Sequence, residues 1–196
     1  MLKRTMSSSP HEPYVSELRH IVTVAGLNYE IWWALKSDQT RPQFVDVLNR
    51  YPIYFQTAIH AHFVALLVSL YKLYETRTDT YNIPRFLKLL QAGAALEPSV
   101  LASLDRQYQE AKPLWVKVSI LRNKVFGHHS TAHSVEDAFR EAAVTPNELR
   151  DLVAKTKSLL NELTQNLDRS THAFNLGSGG EVVQVLEALQ RAKRAP

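Results

Sequence analysis

Apolar residues recur three and four apart along most of this chain, and almost nowhere do they alternate in twos. Val15, Leu18, Val22, Ala25, Tyr29 and Trp32 keep to one face of a helix that opens near Pro13 and ends in the polar run KSDQTRP. A short element, PQFVDVLNR, follows and is closed by Tyr51 and Pro52. Residues 52–76 predict the most deeply buried helix, because between Phe63 and Tyr74 apolar side chains fall on almost every face. Asn82 as a cap, Pro84 in the first turn and Gly93 at the end frame a short helix, IPRFLKLLQAG.

Residues 98–127 predict a long helix, with Leu101, Leu104, Tyr108, Ala111, Trp115 and Val118 forming a strip suited to packing on neighbouring helices. Pro113 interrupts it, so a kink near residues 109–111 is expected. Ser134 with Asp137, and Thr145 with Glu148 around Pro146, are two capping-box starts. The second opens a helix whose Leu149, Leu152, Val153, Thr156, Leu159, Leu160 and Leu163 share a face. NLGSGG, residues 175–180, reads as a flexible hinge, and residues 181–196 as an amphipathic helix with Val182, Val185, Leu186 and Leu189 on one side. Residues 1–12 are a Ser/Pro-rich tail with little to bury. The expectation is an all-α bundle: one domain over 13–174, with extra N- and C-terminal helices.

Composition narrows the chemistry. With 196 residues the chain can build one sizeable core, and with no cysteine it has no disulfide, thiolate zinc site or Cys nucleophile. A formal charge of +4 permits a nucleic-acid partner without requiring one. The most apolar window, FVALLVSLYKLY, carries Lys72 and falls short of the ~20 residues a membrane span needs. The N-terminus is basic but has no apolar core of the secretory kind, so a cytoplasmic protein with no membrane partner is expected.

One stretch, LRNKVFGHHS at 121–130, has residue types suited to chemistry. Arg122 takes the next slot of the long helix's strip after Val118, where an apolar residue is otherwise wanted. Its guanidinium cannot shed its charge, so it must find acceptors or an anion. Gly127 is a cheap place for the helix to stop. His129, seven residues beyond Arg122, would share its face; His128, six beyond, would lie about 120° away on a regular helix. An early end at Gly127 removes that objection, and geometry leaves both histidines open. Arg4 and His11 offer a similar pairing in the tail, so position on a buried helix distinguishes Arg122, not the pattern. The plainer reading pairs Arg122 with Glu75 or Glu136, makes His128 a partner of the helix dipole and leaves Asn123 a surface residue. His129 and His133, with Glu136 or Asp137 nearby, raise a metal site; no H-E-x-x-H is present and none is expected. His60 and His62 read as core-edge residues, Trp32, Trp33 and Trp115 as core rather than base-stacking platforms, and RAKR as a solvated tail.

LRNKVFGH resembles the R-N-x-x-x-(small)-H signature of HEPN domains, an all-helical superfamily that includes many prokaryotic ribonucleases of antiviral and toxin systems. LYKLYETRTDTYNIPRFLKLL is similar, in order and spacing, to the corresponding region of the type-U abortive-infection branch. The two segments are co-linear over about 60–128, and VLNRYPIYF ahead of them fits loosely. By this resemblance Arg122, Asn123 and His128 take the signature positions, with Lys124 and His129 beside them as supporting candidates. Glu75 stands where an acidic residue is usual. Gly127 replaces the expected Ala. Ser130 stands where some HEPN toxins carry a tyrosine modified by nucleotidyltransferases, so that control is not expected here.

The resemblance implies a HEPN-like bundle acting as a metal-independent endoribonuclease of a defence or toxin–antitoxin system. It would need no cofactor, take RNA as substrate, and have an antitoxin or defence protein as a further partner. A histidine with an ordinary pKa near 6.5 serves as base or acid at neutral pH, and a neighbouring arginine favours its neutral form and stabilises charge on the phosphoryl oxygens. One His and one Arg per chain are sparse for work at both oxygens, and HEPN nucleases meet this by pairing as homodimers around a shared cleft. The other reading is a catalytically silent HEPN module that binds nucleotide or a protein.

Overall fold

A computed structural model describes residues 10–127 and 135–192. The described chain is helical throughout, without strands: α1 (Glu12–Lys36), a 3-10 turn (Arg41–Phe44), α2 (Val45–Arg50), α3 (Pro52–Tyr74), α4 (Ile83–Ala92), α5 (Pro98–Leu121), a π-helical turn (Arg122–Gly127), α6 (Val135–Ala142), α7 (Pro146–Leu167) and α8 (Ser178–Ala192). The all-α expectation holds. The tail at 1–9 and the cap at Ser134 lie outside the described residues.

Four long helices make the bundle. α1 runs along α3 and touches α7, α5 packs on both α3 and α7, and α4 closes against α5 and α3. The apolar strips read from the sequence face one another in the core: Val15, Leu18, Val22 and Ala25 from α1, Leu104, Tyr108, Ala111 and Val118 from α5, and Leu149, Leu152 and Leu163 from α7. Leu66, Leu67, Leu70 and Leu73 of α3 are fully enclosed, each leucine contributing about 1.5–3 kcal/mol of transfer free energy. A second, smaller cluster lies at the other end: Leu35, Phe44, Val47, Leu48 and Phe55 meet Leu186 of α8.

The helix ends follow local chemistry. The Asn82 side chain accepts from the Arg85 amide at 2.9 Å. Thr145 and Glu148 form a full capping box, with the Glu148 amide donating to Thr145 Oγ1 and the Thr145 amide to Glu148 Oε2. α5 passes through Pro113 unbroken; Gln109, whose carbonyl loses its helical partner there, is exposed, so that carbonyl is not shut away from solvent.

Three expectations change. Deep burial on all sides is confined to the C-terminal half of α3: in the N-terminal half Phe55 is buried in the second cluster, whereas Ile53 is 81% exposed and Tyr54 is exposed as well, because α2 and α8 cover one side there and no described element covers the other. At 23 residues, α3 is also the one described helix long and apolar enough, by length and composition alone, to cross a membrane, and 28% of its most apolar window is buried in the core, Leu66, Leu67, Leu70 and Leu73 among it. Of the 175–180 hinge, finally, residues 178–180 form the first turn of α8. Ser178 Oγ donates to Glu30 Oε2 at 2.9 Å, and a Cβ on Gly179 would meet the Glu30 carbonyl oxygen at 3.2 Å. The small residues there permit close approach to α1.

Candidate functional site

The strip along α5 delivers Arg122 to the top of the bundle, directly after Leu121, which is fully enclosed. There the helix widens into the π turn that holds the whole RNKVFG segment. Such turns break the regular register and recur at functional sites.

Arg122 is half-buried, and its guanidinium carbon lies 4.5 Å from the centroid of the Tyr71 ring. That cation–π contact is worth about 0.5–2 kcal/mol. Tyr71 belongs to the last turn of α3, where the helix dipole also favours a cation. The ring is steadied in turn by Trp115, 6.0 Å away centroid to centroid, whose indole N–H donates to the Tyr71 carbonyl at 3.3 Å. Arg122 Nη1 donates to Asn123 Oδ1 at 3.0 Å, and Asn123 Nδ2 reaches back to Ser119 Oγ at 3.4 Å. The guanidinium is therefore aimed by a ring below and an amide beside it.

Among the described residues, no carboxylate lies within ion-pair distance of Arg122. Glu75, weighed as its partner, is buried one turn past Tyr71 and makes no ion pair with it. The side chain of Glu136 lies outside those described. Lys124 is bound to Glu141 of α6, which ties the π turn to that helix. Asn123 is exposed and steers the arginine. His128, His129, Ser130 and His133 lie outside the described residues. Among the described residues no cluster of three potential metal ligands occurs.

The family model for HEPN AbiU2 matches residues 8–183. This chain belongs to that family. No curated protein and no solved structure matches it. In this AbiU2 HEPN chain, then, Arg122 and Asn123 open the π turn, and Tyr71, Trp115 and Ser119 are the residues that hold them. Those three escaped the sequence reading. Trp115 lies seven residues before Arg122 on one strip, which was the available signal; Tyr71 comes from another helix and left none.

His62 lies elsewhere on α3, with Nδ1 2.8 Å from Asn28 Oδ1; burial holds its pKa below the ordinary 6.5. Trp32 is buried as expected, while Trp33 and Trp115 are half-buried.

Proposed function

We propose that this AbiU2 chain is a metal-independent endoribonuclease of a prokaryotic defence or toxin–antitoxin system, working as a homodimer on single-stranded RNA. The observation that carries this reading is Arg122: a fixed cation, stacked on Tyr71, aimed by Asn123, and left without a carboxylate partner among the described residues. A charge kept in place without a counterion is suited to an anion from outside, and in this family's signature that anion is a phosphodiester.

The chemistry divides between Arg122 and His128, the residue that follows Gly127. The imidazole takes the proton of the 2′-hydroxyl, the 2′-oxygen attacks phosphorus, and the 5′-oxygen departs with a proton from a second acid. The products are a 2′,3′-cyclic phosphate and a 5′-hydroxyl, with no metal and no other reactant. Arg122 offsets charge on the non-bridging oxygens, and its counterpart in the second subunit completes the site.

The outer face of α3 supports pairing. Ile53, Thr57, His60, Val64, Val68 and Tyr71 follow one another at spacings of four and three along it, the pattern of a helix–helix seam. Only 28% of the most apolar window of α3 is buried within one chain. The stripe ends at Tyr71, so a parallel packing of two copies along it brings both Arg122 groups to one end of the interface.

The test combines light scattering with an RNA-cleavage assay in EDTA, using wild type, Arg122→Ala and His128→Ala. A dimer that yields cyclic-phosphate ends, and loses cutting in both variants, is expected. Unimpaired cutting by the two variants, or no cutting by wild type across a broad RNA panel, removes the assignment. In the second case a dimer that still binds nucleotide would favour the silent-module reading.

A further inference from the structure

Two turns before Tyr71 on α3, roughly 12 Å along the helix axis, a pocket of about 410 Å3 opens beside Phe63. Its walls are aromatic. The Trp32 and Phe63 rings lie 5.2 Å apart at 30°, and the Phe63 and Phe139 rings 6.1 Å apart at 16°. Phe139, the outermost ring of this stack, is 41% exposed. It comes from α6, the helix whose Glu141 holds Lys124 of the π turn, so α6 ties the pocket to the turn that carries Arg122, and α3 runs through both.

The rim is cationic. Lys36 and Arg41, at the end of α1 and the start of the 3-10 turn, both line the opening and are both exposed. Neither has an ion-pair partner among the described residues, and no carboxylate lines the pocket. Gln56 adds one amide with both donor and acceptor.

A single exposed phenylalanine is ordinary. Two uncompensated cations beside an aromatic stack whose outermost ring is open are not, and they define an occupant: a planar ring to stack on Phe139, an edge to hydrogen-bond, and phosphates on either side. The volume is in the range of small-molecule sites. We propose that this pocket holds one base of a single-stranded RNA, with Lys36 and Arg41 on the adjoining phosphates, and so positions the strand on Arg122. The inference rests on the ribonuclease reading for its substrate class, and locates a specificity subsite that reading does not contain.

The probe is a short fluorescein-labelled 2′-O-methyl RNA, which lacks the attacking hydroxyl, so that anisotropy reports binding without cutting. Wild type binds it. Lys36→Ala with Arg41→Ala weakens binding and flattens the log–log salt dependence by about 1.4, two phosphates at ~0.7 each for a single strand. Phe139→Ala weakens binding by about 5-fold to 100-fold, and Phe139→Trp restores it. Both surface-cation changes leave thermal melting unchanged, so loss of fold does not mimic the result. On cleavable RNA the same variants raise KM more than they lower kcat, whereas Arg122→Ala abolishes cutting and still binds the probe.

Wild-type binding that none of the pocket variants weakens overturns the subsite and leaves the ribonuclease reading standing. Pocket variants that lose binding, beside an Arg122→Ala that cuts normally, keep the subsite and overturn the Arg122 assignment. AMP competing at micromolar concentration would make a free nucleotide the occupant and overturn the strand-positioning role. A wild type that binds no probe removes both.

Discussion

Two cations stand five residues apart near the end of α5, and they are handled in opposite ways. Lys117 donates to Glu148 Oε1 at 2.6 Å and to the Ala143 carbonyl at 3.0 Å, so its charge is used up joining α5 to the start of α7. Arg122 meets a ring and a neutral amide. The first arrangement satisfies a charge; the second holds one in position and leaves it unneutralised. Lys124, two residues further on, has its carboxylate too, so at this end of α5 it is the held but unneutralised guanidinium, between two paired lysines, that marks the candidate site.

The sharpest way to break this contrast is to exchange shape for charge. Arg122→Lys keeps the charge but loses the planar fork, and RNA cleavage is expected to fall by about 100-fold or more with the melting temperature unchanged. The reciprocal Lys117→Arg should alter neither. An Arg122→Lys that melts far earlier than wild type would make Arg122 a structural residue like Lys117.

Next in size is the platform. Tyr71→Leu keeps apolar volume and removes the ring face, and about 1 kcal/mol of lost cation–π contact should lower kcat/KM by about 5-fold. Its effect should not add to that of Arg122→Ala in a double-mutant cycle. Full additivity would mean that ring and guanidinium act independently.

Lys117→Ala should cost about 1 kcal/mol and lower the melting temperature by about 2–4 °C while sparing cleavage per folded molecule. The pH dependence follows from its partner. The Lys117 ammonium, with the Thr145 amide, holds the Glu148 carboxyl below its ordinary 4.5. Folding therefore favours the ionised form, and that stability is present above 4.5 and lost as pH falls through the lower folded value. The stability gap between wild type and Glu148→Gln, measured by urea unfolding, should be widest at pH 7 and narrow progressively as pH falls below 4.5. A gap that stays constant with pH would mean that the carboxylate charge contributes nothing.

The smallest effect belongs to His62. Burial depresses its pKa from 6.5, so the unfolded chain takes up the proton first as pH falls, and stability declines below about pH 6.5. His62→Gln, which retains a donor toward Asn28, should flatten that part of the stability profile without changing cleavage at pH 7.5.

Much of the fold was legible because helix periodicity is a local property. The strips on α1, α5 and α7, the Asn82 cap and the Thr145 box all formed where their residues stood. Burial of α3 was misread at its N-terminal half because Ile53 and Tyr54 are as apolar as their buried neighbours; exposure depends on which helices arrive opposite them. The hinge was misread for a similar reason. Gly179 reads as freedom along the chain, whereas its use is to let α8 approach Glu30.

By itself the sequence determined the helices, their caps, the family signature and the placing of Arg122 on a strip meant for contact, since each depends on residues within a few turns. Only the tertiary structure decided what that guanidinium meets: Tyr71 arrives from α3 and Trp115 steadies it, while Glu75, equally plausible on paper, makes no ion pair with it. Charge neutralisation is settled by distances of a few ångströms between helices far apart in the chain, and no local pattern encodes those.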